Sequence, residues 1–239
     1  VAIPDTNLSV NVNIQQEKRT GRNVLGRLDP PSGKTGSIVV VGAHIDHLGA
    51  KASTGSLARN EERDRIHFGG DDNASGVAGV LEIAQWFVNG DGSTHRPNHS
   101  ILFATWSGEE LGLLGSAHYT RELSEHLHAE ELSPAIGAYV NMDMIGRLRD
   151  NVVIGGIGSS SIWNDEIEKA KKNLDLVIST QDDSYLPTDA TSFFVKGVPF
   201  INAFTGAHED YHTPRDTAEE VNCEGAAKVA QFMANVTLS

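Results

Sequence analysis

The sequence is poor in cysteine: Cys223 is alone among 239 residues. No internal disulfide can form and no thiolate cluster for zinc exists, while a lone thiol suits either redox compartment. Long apolar runs are missing too, and none approaches the ~20 residues of a membrane span. Positive charge is scarce, with 19 Lys and Arg against 32 Asp and Glu and a formal net charge of -13. That balance excludes a general nucleic-acid binder, which needs a positive field. Repeats and low-complexity tracts are absent. What is present is a 39% hydrophobic fraction with 24 glycines and ten histidines. This is enough for one large core and excludes disorder as the main state. No linker divides the chain, so residues 1–239 are read as a single domain. It starts at Val1 with no leader pattern, and is expected to be a processed product or a domain excised from a longer precursor.

Residues 8–15 alternate apolar and polar, which predicts an edge or antiparallel strand, and a second strand is expected at 22–28 after a polar turn. Residues 30–36 read as a turn. Continuous apolar runs at 37–43, 100–106, 135–142 and 198–204 predict strands buried on both faces. Helices are expected at 75–88, 111–121, 161–173 (exposed), 189–195 and 217–235. The polar, Gly-rich stretch 49–71 reads as a long loop, and such loops in compact domains are usually functional. Buried strands alternating with helices give an α/β sandwich with a mixed, mostly parallel sheet.

The carboxyl ends of these strands carry the chemistry. They run into His44-Ile-Asp46-His47, Ser107-Gly-Glu109-Glu110, Asn141-Met-Asp143 and Thr205-Gly-Ala-His208-Glu-Asp210-Tyr211-His212, and Asp71-Asp72-Asn73 precedes the helix at 75. In open α/β sheets the ligand crevice lies outside the strands' carboxyl ends. Each piece alone has an ordinary explanation, such as a helix cap, a solvated first turn or a loop histidine. Together they gather carboxylates that cannot all ionise side by side without a compensating positive charge. A pair of divalent cations is the simplest compensation. Imidazole and carboxylate without thiolate suit zinc first, then cobalt or manganese. Two histidines, a bridging Asp, a further Asp and a Glu would hold two metals, with one Glu left over as a base. His95, His99, His118, His126 and His128 lack such a context and are expected at the surface.

His44-x-Asp46, Asp72-Asn-Ala-Ser-Gly76, Gly108-Glu109-Glu110-Leu-Gly-Leu-Leu-Gly-Ser116, Asn141-Met-Asp143-Met-Ile-Gly-Arg147 and Tyr211-His212-Thr-Pro-x-Asp216-Thr217 stand in this order. In them the chain resembles the co-catalytic two-zinc aminopeptidases, notably the secreted bacterial leucyl aminopeptidases. Their peptidase fold is shared by transferrin-receptor-like and glutamate-carboxypeptidase-like proteins. The likeness spans about residues 8 to 235. It implies a three-layer α/β/α sandwich and two Zn²⁺ ions, for which Co²⁺ or Mn²⁺ can substitute. The implied ligands are His44, Asp72 as the bridge, Glu110, Asp143 and His212. The arrangement taken is His44 with Asp143 on one ion and Glu110 with His212 on the other, a division the sequence leaves open. A cis peptide is implied at Asp72-Asn73. Asp46 would orient the His44 ring. Glu109 would take a proton from the attacking metal-bridged water and pass it to the leaving amine. Tyr211 would donate to the developing oxyanion. The resemblance also implies peptide substrates with a free N-terminus and an apolar first residue, and tilts the location toward export.

One departure stands in the stretch Thr188-Asp189-Ala190-Thr-Ser-Phe193, where relatives have Ser-Asp-His-x-x-Phe. That His is not a ligand, so the departure bears on pocket shape near Asp189 rather than on metal binding. The competing readings are a carboxypeptidase or dipeptidase of the same fold, which would use a base such as Arg147 for the substrate carboxylate; a glutaminyl-cyclase-like acyltransferase using one zinc; and a non-catalytic binding domain. The full ligand set with Glu109 speaks against the last two.

Overall fold

The four apolar runs become the middle of one sheet. The computed structural model describes residues 7, 9–14, 18–33, 36–50, 55–89 and 97–239. Strand β1 (Val24–Leu28) leads into β2 (Ile38–His44), followed by a small hairpin of β3 (Gly49–Ala50) and β4 (Ile66–His67). Helix α1 (Gly76–Asn89), β5 (Ser100–Trp106), α2 (Leu114–Leu127), β6 (Ile136–Met142) and β7 (Val152–Gly155) come next. Then follow α3 (Trp163–Ala170), β8 (Ile178–Gln181), α4 (Ala190–Phe194), β9 (Phe200–Phe204) and α5 (Cys223–Leu238). The sheet has seven strands in the order β1-β5-β2-β6-β9-β7-β8. The β2/β5, β2/β6, β6/β9 and β7/β8 pairs are parallel, while β1/β5 and β7/β9 are antiparallel.

Helices cover both faces. On one side α1, α3 and α5 press Val80, Ile83, Phe87, Trp163, Ile167 and Phe232 against Val41, Phe103, Val140 and Ile201. On the other, α2 and α4 bring Tyr119, Leu123 and Phe193 onto Val40, Trp106, Tyr139 and Phe200. The result is the α/β/α sandwich with a mixed, mostly parallel sheet. A buried polar chain crosses the sheet near its carboxyl edge. Trp106 Nε1 donates to the Tyr139 hydroxyl at 2.8 Å, that hydroxyl to Asn141 Oδ1 at 2.6 Å, and Asn141 Nδ2 to Asn202 Oδ1 at 2.7 Å. Its full satisfaction makes burial tolerable and locks the side chains of three strands together.

Several expectations shift. Residues 9–14 join no strand among the described residues, and Leu8 and Gln15 lie outside them. Val10, Val12 and Ile14 are exposed, so the alternation has no apolar face to cover. Helix α2 starts later than expected and runs longer. Gly108, Gly112 and Leu113 all have positive φ, which holds 108–113 in a turn instead of a helix. Helix α3 is shorter than the predicted span and is amphipathic instead of exposed, burying Trp163, Ile167 and Ala170. Helix α5 starts at Cys223 because Asn222 caps it, its Oδ1 accepting from Gly225 N at 2.9 Å. His99 is half-buried, and Thr237 O lies 2.9 Å from its Nε2. His118, His126 and His128 are exposed as expected, and His95 lies outside the described residues.

Candidate active site

Parallel register puts the strand ends level. His44 is paired with Trp106 across β2 and β5, Gly42 with Asn141 across β2 and β6, and Asn141 with Asn202 across β6 and β9. Residues just past these ends therefore converge on one rim. His44 is the last residue of β2, Glu109 and Glu110 fill the β5–α2 turn, and Asp143 follows β6. His212 lies in the loop after β9, at a φ of 53°. Asp72 sits in the irregular turn Gly70–Ser75 that opens α1, and the Asp72-Asn73 peptide is cis. That turn is pressed against the end of β6. A Cβ on Gly76 would fall 2.3 Å from Asn73 Oδ1 and 2.4 Å from Met142 O, so only glycine permits the approach.

Asp72 lies between two imidazoles. Its Oδ1 is 3.2 Å from His44 Nε2, and its Oδ2 is 3.1 Å from His212 Nε2. On the first side Asp143 Oδ1 is 3.4 Å from His44 Nε2, and on the second Glu110 Oε2 is 3.3 Å from His212 Nε2. Glu109 Oε2 stands farther off, 4.0 Å from His44 Nε2. All five residues proposed as ligands are thus brought together with Glu109. Side-chain atoms of His44, Glu109 and Asp143 that could hold an ion lie in one compact group, and those of His47, Asp72 and Glu110 in another. The donor chemistry, oxygen and imidazole nitrogen without thiolate, fits zinc. Buried His47 nitrogens and Glu110 Oε1, without hydrogen-bond partners, fit the lining of a cation site.

The electrostatics are those of crowded carboxylates and imidazoles. Burial works to raise the pKa of Asp72, but His212 and His44 outweigh it and hold the carboxyl well below its usual range. Burial works against a charged His212, yet Asp72 and Glu110 lift its pKa to about 10. His44 is raised well above its usual value in the same way, by Asp143 and Asp72 against burial. Glu109 goes the other way: burial, with Asp143, Asp189 and Glu110 nearby, pushes it to about 8 despite His44. Burial also raises Asp143, opposed by His44. Tyr211 stacks on His212 at 3.8 Å, and burial beside Asp72 and Glu110 raises its phenol, which stays protonated as a donor. These directions describe the metal-free protein; a bound dication would favour the carboxylates and neutral imidazoles that ligate it.

The Asp46 carboxylate does not sit on the His44 ring as expected. It lies 3.9 Å from His44 Nδ1, and the Asp46 main-chain carbonyl takes that nitrogen at 3.0 Å. The carboxylate instead accepts from the backbone N–H of Glu109 and Glu110 at 3.0 and 3.3 Å, fixing the turn that carries both. Arg147 is likewise committed elsewhere, its guanidinium 3.4 Å from both Asp210 and Asp216. Ala190 is buried in the apolar cluster with Phe193 and Tyr139. Beside it the Asp189 carboxyl is buried without a well-formed hydrogen bond, and burial pushes its pKa to about 7.

Two histidines had no assigned role. His47 Nδ1 is 2.8 Å from Glu110 Oε1, and His208 Nε2 is 3.2 Å from Asp71 Oδ2. Both lie within the strand-end motifs, and their spacing beside His44 and His212 was the available signal. A cleft of about 930 Å³ opens beside the site, with Asp46, His47, Glu110, Leu25, Leu114 and Tyr119 among its walls.

Fold and site together define an α/β protein with an imidazole-and-carboxylate centre at the carboxyl edge of its sheet. Residues 23–237 match the sequence model of "Peptidase family M28", and the chain belongs to that family. An "Aminopeptidase" of Pseudomonas aeruginosa (strain UCBPP-PA14) is 30% identical over 85% of this chain and 34% of its own length. "Leucine aminopeptidase 2" of Trichophyton equinum is 29% identical over 87% of this chain and 38% of its own. The chain thus spans little more than a third of these relatives. Among solved structures, a zinc aminopeptidase from Bacillus subtilis superposes with a TM-score of 0.67 at 24% identity, over 90% of this chain and 48% of that one. A Bacteroides thetaiotaomicron glutaminyl cyclase superposes with a TM-score of 0.66 at 17% identity, over 91% of this chain and 77% of that one.

Proposed function

We propose that this chain is the catalytic domain of a two-zinc aminopeptidase that removes an N-terminal, apolar residue from peptides. The observation that carries the reading is Asp72, whose two oxygens face His44 and His212 at 3.2 and 3.1 Å while Asp143 and Glu110 complete the two sides. A carboxylate shared between two nitrogen–oxygen clusters is the arrangement a bridged metal pair requires. His44 and Asp143 would hold one ion, Glu110 and His212 the other. When bound, two zinc ions supply Lewis acidity and lower the pKa of water enough for a nucleophile near neutral pH.

Glu109 is the one carboxylate of the cluster left free of that task, and its pKa of about 8 in the metal-free chain is in the range of a proton carrier at neutral pH. It takes a proton from the attacking water and returns it to the departing amine. Tyr211, kept protonated on the flank of His212, donates to the carbonyl oxygen as charge develops there. Asp46 keeps the Glu109 backbone in place. The site's carboxylates attract a substrate ammonium, which favours a free N-terminus. Arg147, already neutralised by Asp210 and Asp216, is not free to hold a substrate carboxylate, which weighs against a carboxypeptidase.

The test uses aminoacyl-chromogenic amides and their N-blocked counterparts, with and without a chelator. Hydrolysis confined to the free-amine substrates and abolished by chelation is expected. Equal turnover of blocked substrates would exclude the aminopeptidase reading. Cyclisation of an N-terminal glutaminyl peptide in place of hydrolysis would move the chain to acyl transfer.

A further inference from the structure

The long polar stretch at 49–71 reaches His212. His212 Nδ1 lies 2.8 Å from the Gly55 carbonyl, and the Leu57 N–H donates to the His212 carbonyl at 2.9 Å. Residues 55 and 57 thus clamp both the ring and the main chain of this histidine. A carbonyl only accepts, so Nδ1 carries the proton, and in the neutral ring Nε2 keeps the lone pair that faces Asp72 and Glu110. The clamp also holds His212 at a φ of 53°, a left-handed conformation that a non-glycine residue keeps only where its surroundings impose it. His44 has a carbonyl on its Nδ1 as well, but that one comes from Asp46, two residues along. The carbonyl on His212 comes from 157 residues away, so it depends on whatever pins the 55–57 segment.

Ser56, between the two clamping residues, is tied to the body of the protein. Its Oγ lies 2.8 Å from Nε2 of buried His67 and accepts from the Ala58 N–H at 3.2 Å. His67 is itself fixed in β4, opposite Gly49 of β3. A second tie lies farther out, where Arg215 Nη1 donates to Glu62 Oε2 at 2.5 Å. A serine hydroxyl against an imidazole also invites a nucleophile reading. That reading lacks its third member, because His67 Nδ1 is buried without a partner among the described residues and no carboxylate orients the ring. On the two-ion reading above, we infer that Ser56 is a positioning residue for His212: its hydrogen bond to His67 fixes the 55–57 clamp, and the clamp aims His212 Nε2 at the second ion. A loosened clamp lets the His212 ring turn and costs that ion a well-placed ligand. The ion held by His44 and Asp143 is untouched, since the carbonyl on His44 belongs to its own strand end.

The test is a calorimetric Zn²⁺ titration of the chelator-stripped chain, with hydrogen exchange at the Leu57 amide as a second, metal-free readout. His212→Ala identifies the binding step that depends on its ring. Ser56→Ala should weaken that step by about 10-fold, leave the other unchanged and speed Leu57 exchange. Ser56→Thr, which keeps the hydroxyl, should behave as the wild type in both measurements. If Ser56→Ala does not fold, Ser56→Cys, whose thiol is a weak donor, takes its place. Faster Leu57 exchange with both zinc affinities unchanged overturns the inference, because Ser56 then only stiffens the loop. Equal weakening of both steps overturns it too, as does a threonine variant that loses as much as the alanine one. A wild-type chain that takes up one ion overturns the two-ion reading, and this inference with it.

Discussion

At the scale of single residues, the two neighbouring glutamates have opposite environments. Glu110 meets two imidazoles, which outweigh burial and lower its pKa, whereas Glu109 is buried near Asp143, Asp189 and Glu110 and rises to about 8. Replacing Glu109 with Gln should lower kcat by about 10²–10⁴-fold while metal content, measured by elemental analysis, stays at the wild-type value. The same residue sets a pH effect on the metal-free chain. Between its ordinary pKa of 4.5 and about 8, the folded chain keeps a Glu109 proton that the unfolded chain has released. The unfolded state then binds fewer protons, so this group's contribution to stability falls as pH rises through that window. In the presence of a chelator, the melting temperature of the wild type should drop more between pH 5 and pH 8 than that of Glu109→Gln. Equal drops would refute the assignment. Asp46 acts one step back, through the backbone of the turn it holds. Asp46→Ala should cost about 10–100-fold in kcat/KM and weaken Zn²⁺ binding measured by calorimetric titration. The residue types of the site were legible in the sequence, but Asp46's true partner was not. Its contact with the β5–α2 turn joins residues 63 and 64 positions apart in the chain.

At the scale of elements, the turn before α1 depends on the far end of the chain. Asp216, fully buried, accepts from the backbone N–H of Asp71 and Asp72 at 3.0 Å each and faces Arg147 at 3.4 Å. Removing it leaves two buried amides and a guanidinium without this acceptor. Asp216→Ala should destabilise the fold by about 3–5 kcal/mol in urea unfolding. Gly76→Ala should cost about 1–3 kcal/mol, because a methyl group there meets Asn73 and the Met142 carbonyl. The long core strands and α1 were readable because a strand buried on both faces needs an unbroken apolar run. Strands β7 and β8, four residues each, were not. They lie toward one edge of the sheet, and β8 is largely exposed, so neither carries a long apolar signature. The pattern at 9–14 misled for the converse reason, since alternation forms a strand only where a sheet edge receives it.

For the whole molecule, the two-zinc reading links metal binding to folding. An ion that binds only the folded chain stabilises it by about 2.7 kcal/mol when present at 100 times its Kd. Chelation should therefore lower the melting temperature, and added Zn²⁺ should restore it. A melting temperature indifferent to chelator would count against a metal centre at this rim. The sequence by itself determined the α/β class, the buried strands and the set of side chains at their carboxyl ends, because these follow from local pattern and from the geometry of parallel sheets. Tertiary structure alone decided which atoms face which. It placed Asp72 between two histidines, turned Asp46 onto the β5–α2 turn and Arg147 onto Asp210 and Asp216, and brought His47 against Glu110. Those pairings join segments far apart in the chain through packing and electrostatics, and no spacing along the sequence encodes them.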